Sequence, residues 1–129
     1  MKEQHKLVLA VLAGISIGVA GALVVHAQQT RTPPGFVIAE PDVTDPATFQ
    51  KYSAEVPKTL APFGGHFIVR GGKIQAVEGV APKRVVVIAF DSVEQARAWY
   101  DSPGYQAILP MRLSSASTRL FIVEGALPQ

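Results

Sequence analysis

Hydrophobic positions in this chain fall into three patterns, each predicting a different kind of segment. Leu7 to Val25 is an uncharged stretch of Leu, Val, Ile, Ala and Gly with only Ser16 polar. Lys2 and Lys6 precede it, and Val25-His26-Ala27 ends it before the polar run from Gln28. A basic start, an apolar middle and small residues at −3 and −1 of a cut read as a signal peptide over 1–27, cleaved after Ala27. The stretch 7–25 is also long enough to cross a bilayer, so the alternative is a leader retained as an anchor. Either way the remainder faces the export side, periplasmic or secreted, because the lysines stay behind in the cytoplasm. Residues 28–35, with Pro33-Pro34, read as an extended linker, 36–125 as one domain, and 126–129 as a tail.

Within the domain, short β-rich runs alternate with helical spacing. Phe36 to Glu40 is a first strand, stopped by Pro41. Asp45-Pro46 opens a helix, since Asp accepts from the free backbone N–H groups and proline at the first helical position loses nothing. Phe49, Tyr52, Val56, Leu60 and Phe63 then recur every three or four residues, and Pro57 is expected to kink the helix. His66 to Arg70 is a second strand. Gly71-Gly72 is a hairpin turn or, preferably, a kink in a longer strand that runs on through Lys73 to Glu78. Arg84 to Phe90 is continuously apolar after its first residue and reads as a third strand. Ser92 and Gln95 make a capping box for a second helix through Tyr100. Ser102-Pro103 starts another helical piece that Pro110 breaks, and a serine-rich turn leads to a last strand, Arg119 to Val123.

Strand, helix, strand, strand, helix, strand is the ferredoxin-like βαββαβ order of an α+β domain: an antiparallel sheet with its helices on one face. Such a sheet should alternate apolar and polar residues if its other face is wet. Val85 to Phe90 and Leu120 to Val123 do not alternate. Both faces therefore need cover, and a second copy packed sheet on sheet is the simplest way to provide it, giving a homodimer.

Composition narrows the chemistry. The 129 residues include no cysteine, which excludes disulfides, thiolate nucleophiles and thiolate metal sites. The domain after residue 27 carries ten basic and nine acidic groups, and its only adjacent basic pair is Lys83-Arg84. That is no phosphate-binding stripe, so nucleic acid is not an expected partner. A membrane would be met only through 7–25, if the leader is uncleaved.

One set of motifs spans the domain: Asp45-Pro46, Tyr52, Gly64-Gly65, Arg70-Gly71-Gly72, Glu78-Gly79, Arg84 with its valine run, and Phe90-Asp91-Ser92. It continues with Ala98-Trp99-Tyr100-Asp101-Ser102-Pro103, Tyr105, Arg112 and Val123-Glu124-Gly125. With these residues the chain resembles the bacterial family called domain of unknown function 1330. The resemblance implies a dimeric α/β-barrel fold and no particular activity. Gly104 and Pro110 depart from the family pattern, which loosens the helix they sit in.

Candidate chemistry is sparse. His66, the one histidine after the leader, shares a face with Ile68 and Arg70 if the strand is regular, so it is a candidate general base; the plainer reading is an exposed strand-end histidine. Arg70 beside two glycines suits a carboxylate or phosphate, or an ion pair with Glu78. Trp99, Tyr100 and Tyr105 line a cleft or fill the core. A lone histidine without cysteines is a poor metal site, there is no glycine-rich phosphate loop, and no cofactor is expected. Three functions follow. The first is an exported dimer binding a small organic ligand between sheet and helices through His66, Arg70, Glu78, Trp99 and Tyr105. The second is a cofactor-free isomerase or oxygenase-like enzyme. The third is a dimeric interaction module with no small-molecule site.

Overall fold

The computed structural model describes residues 31–129. The expected leader, 1–27, and its apolar stretch lie outside the described residues. The first strand, β1, runs Gly35–Val43, past the expected stop at Pro41. Its pairing with β3 ends at Ala39, while its pairing with β4 continues to Val43. A proline is tolerated where a strand has a neighbour on one side only.

Helix α1, Pro46–Leu60, is capped by Asp45, whose carboxylate accepts from the Thr48 backbone N–H at 3.2 Å. It buries Phe49, Tyr52, Val56 and Leu60, the face its spacing predicts. A 3-10 turn, Ala61–Phe63, follows and closes on Gly64 in the left-handed region. The helix is not interrupted at Pro57. A proline there deprives the Ser53 carbonyl of its helical donor. The guanidinium of Arg70 supplies one instead, at 2.9 Å.

Strand β2, His66–Arg70, ends where the glycines begin. The expected extension through Glu78 is not a strand, and Gly71-Gly72 is not a two-residue hairpin. Residues 71–85 form an irregular connection whose residues from Gly71 to Val80 are all exposed. Strand β3 is Val86–Phe90. Helix α2, Val93–Asp101, takes its cap from the Ser92 hydroxyl, which accepts from the Gln95 N–H at 3.1 Å. Helix α3, Pro103–Ser115, continues through Pro110 and uses up the serine-rich stretch expected to turn. Its last residue is tied down on both sides. The Ser115 hydroxyl donates to the Met111 carbonyl at 2.6 Å, and the Ser115 carbonyl accepts from the Thr44 and Asp45 N–H groups. Strand β4, Ala116–Glu124, follows directly.

The four strands form one antiparallel sheet in the order β2-β3-β1-β4, the ferredoxin-like arrangement read from the sequence. The register sets two kinds of row across it. Phe67, Ile88, Val37 and Ile122 form one, and Arg70, Val86, Ala39 and Leu120 the next of the same kind; both face the helices. His66, Ala89, Phe36 and Val123 alternate with Val69, Val87, Ile38 and Phe121 on the outer face. Phe121 and Val123 are each about two-fifths exposed there. The absence of alternation in the sequence thus corresponds to an apolar outer face.

Candidate functional site

A cleft lies between the inner sheet face and the helices. Val37, Ala39, Val86, Ile88 and Leu120 come from the sheet, Phe49, Tyr52 and Val56 from α1, Trp99 from α2 and Arg112 from α3. Its volume, measured for the centre of a water-sized sphere, is about 40 Å³. One water needs roughly 10–15 Å³ on that measure, so the cleft as it stands takes about three waters.

Two tyrosines and an arginine form its polar end. The Tyr52 and Tyr105 hydroxyls share a hydrogen bond of 2.8 Å, and the Arg112 Nε donates to the Tyr105 oxygen at 3.3 Å. Tyr105 is fully enclosed, in contact with the rings of Trp99 and Tyr100. Burial, reinforced by Tyr105, pushes the Tyr52 phenol far above its ordinary range, while Arg112 opposes the shift. The folded protein therefore holds the Tyr52 proton at a pH where the unfolded chain has lost it. This contribution is fully present below about pH 10, and stability falls as pH rises beyond it, by up to about 1.4 kcal/mol per pH unit for one phenol. Tyr52→Phe is expected to lose that part of the slope, measured by urea unfolding between pH 8 and 11. Equal slopes in the two proteins would refute it.

Arg70 and Arg84 stand at the cleft through local backbone features. The pairing shifts between Phe67 and Val69, so Ile68 is an extra residue on β2. This β-bulge moves Arg70 to the inner face with Phe67, and its guanidinium lies 4.2 Å from the centre of that ring. Arg84 sits 5.3 Å from the Phe49 ring centre. The turn after β2 brings Gly71 beside it, with a 2.9 Å hydrogen bond from the Gly71 N–H to the Val85 carbonyl. Gly71 has φ +67°, and a Cβ there would come within 2.8 Å of the Arg84 Cζ. The backbone conformation favours glycine, and a Cβ would push the mobile end of the Arg84 side chain aside. Gly71→Ala is expected to cost about 1–2 kcal/mol and to displace Arg84. Chemical denaturation checks the cost, and an unchanged midpoint would contradict it.

These cations lack the usual counter-ions. The ion pairs among the described residues join Lys58 to Glu55, Lys83 to Asp42, Arg97 to Asp101 and Arg119 to Glu40. None involves Arg70, Arg84 or Arg112. Arg112 is only 6% exposed, and its one side-chain hydrogen bond among the described residues is to Tyr105. The Arg84 Nε and the Thr118 hydroxyl, both at the cleft, are buried with no hydrogen-bond partner among the described residues.

The residues expected at a site separate into two groups. Arg70 and Trp99 line the cleft, and Tyr105 braces it from behind. His66 does not join them. The bulge that turns Arg70 inward leaves His66 exposed in an outer row, opposite Ala89. Glu78 is on the exposed connection, and Arg70 bonds Ser53 rather than Glu78. Tyr52, Arg84 and Arg112 are the residues that reasoning about chemistry overlooked. Their signal was present, because all three belong to the motif set on which the resemblance rests. Thr118 gave none. Among the described residues no group of three or more His, Cys, Asp or Glu is placed to hold a metal.

The profile of the family described as domain of unknown function 1330 matches residues 34–126. The chain belongs to that family. No curated protein sequence matches this member of domain of unknown function 1330. Its fold is similar to that of a Rhodopseudomonas palustris protein of unknown function, at 15% identity over 84% of this chain and 94% of the other, with a TM-score of 0.59. SnoaB, a cofactor-independent oxygenase from Streptomyces nogalater, is similar at 14% identity over 74% and 95%, with a TM-score of 0.52. A dimeric ferredoxin-like protein of unknown function from Bacteroides fragilis is similar at 10% identity over 70% and 95%, with a TM-score of 0.50. At these identities the likeness is one of fold.

Proposed function

We propose that this domain is an exported binding module that holds a small organic molecule in the cleft between sheet and helices and works as a homodimer. One observation carries the reading. A dry apolar cavity would need no polar lining, yet this one has a buried arginine nitrogen and a buried hydroxyl that make no hydrogen bond to the described residues. Unmade bonds of this kind cost about 1–3 kcal/mol each, and a ligand that accepts and donates there recovers them. The dimer reading is supported by the apolar outer rows, by the almost fully exposed Val77 and Val80, and by the description of the Bacteroides relative as dimeric. Export rests on the sequence of residues 1–27.

Trp99, the only tryptophan, lines the cleft, so its fluorescence reports occupancy. A titration series of small organic acids, amides and alcohols is expected to include compounds that shift its emission saturably. In Ala39→Leu, whose larger side chain fills the cleft floor, the same compounds are expected to give no shift. Responses that persist in Ala39→Leu would place binding elsewhere. A panel without any response would favour the interaction module.

A further inference from the structure

We infer that the cleft selects an organic carboxylate: a compact, flat apolar body against Trp99 and the sheet, with its anionic head between Arg84 and Arg112. This deepens the binding reading above and rests on it. Charge is the first argument. An arginine buried as deeply as Arg112 is ordinarily matched by a carboxylate, because an uncompensated buried cation is costly. No acidic side chain among the described residues pairs with it, nor with Arg84 on the same cleft. The missing negative charge is what a ligand would bring.

Hydrogen-bond capacity is the second argument. Arg70 has already spent a donor on the Ser53 carbonyl and is held at the rim. Among the described residues the buried Nε–H of Arg84 has no acceptor, and Arg112 uses one donor, on a neutral phenol oxygen. A guanidinium presents a planar fork of donors that matches the two oxygens of a carboxylate. The unpartnered Thr118 hydroxyl can donate to the same head. Shape is the third. Apart from Ser53 and Arg70 at the rim, the rest of the lining is aliphatic and aromatic, a surface that suits the flat faces of a single ring or a short conjugated chain, and such a body must widen the cleft from its present volume of about 40 Å³. Inorganic phosphate would satisfy the arginines and leave that lining without a partner.

The test uses matched pairs, benzoate with benzamide and sorbate with sorbamide, and inorganic phosphate alone. The readout is the Trp99 indole N–H and the Arg84 and Arg112 Nε–H resonances in nitrogen-15 NMR spectra of the folded protein. Both carboxylates are expected to move all three signals and to bind at least about tenfold tighter than their amides. Arg84→Gln and Arg112→Gln are expected to bring the carboxylates down to the amides' level. Should Arg112→Gln not fold, Arg84→Gln carries the comparison, since Arg84 lies in the connection before β3 rather than in the helical core. Amides binding as tightly as the acids, or acids undiminished in Arg84→Gln, would overturn the selection while leaving a cleft that binds ligands. Phosphate moving the arginine signals as strongly as benzoate would overturn the organic body. If no acid or amide moves Trp99, the binding reading itself fails, and the selection with it.

Discussion

Trp99→Ala is expected to remove about 3–5 kcal/mol of stability, a large share of the roughly 5–15 kcal/mol that holds a domain folded. Trp99 is 1% exposed, its ring centre 4.2 Å from that of Tyr105 and 5.7 Å from that of Phe90. Its indole N–H donates to the Thr59 hydroxyl at 2.9 Å, tying α2 to α1. Truncation therefore opens a cavity beside one that already exists, and the helices above it lose their common support. A ring of this size also walls the cleft, so the same substitution is expected to abolish binding. Urea unfolding of the wild type, Trp99→Ala and Thr59→Val separates packing from the hydrogen bond; Thr59→Val should cost only about 0.5–1.5 kcal/mol. A loss below about 1.5 kcal/mol for Trp99→Ala would mean that Trp99 is not the keystone of the helical layer. His66→Ala, on the outer row, is the contrasting substitution and is expected to stay within about 0.5 kcal/mol.

The second large effect concerns assembly. Ile38 sits in the outer row with Val69, Val87 and Phe121, on a central strand of the sheet. In an isolated subunit Ile38→Asp would place a carboxylate at a partly wet surface. In a two-fold dimer each substitution occurs twice, and each carboxylate is buried against an apolar partner face. Dimer dissociation is then expected to strengthen by at least about a hundredfold, while the subunit stays folded. Sedimentation velocity over a concentration series reads this directly. A wild-type monomer would contradict the dimer, and an Ile38→Asp protein that dimerises normally would move the interface off this face.

Much of the fold was legible because local rules and the global pattern agree. Asp45-Pro46, Ser92 and Ser102-Pro103 start helices where their side chains are seen to accept backbone N–H groups. The valine run of β3 has no alternation, and its outward residues belong to an apolar face. The misreadings share a cause, since each depended on contacts made across the fold. Pro110 is carried inside α3, whose end is held by Thr44 and Asp45. The bulge at Ile68 has no glycine or other marker in β2, yet it reverses the faces of every residue after it. That shift alone separated His66 from Arg70 and made a strand-based grouping of the two fail. The cleft could not be assembled from spacing, because Arg84, Arg112 and Thr118 come from different elements and meet only once the sheet is ordered.

Native mass spectrometry of the full-length gene product, recovered from its own host and kept under gentle ionisation, tests most directly whether the cleft holds a ligand. The expected result is a dimer beginning at Gln28 that carries a small extra mass, released on activation and lost in Arg84→Gln. A protein that arrives without bound mass, and acquires none from a host small-molecule extract, would contradict a ligand site between the sheet and its helices.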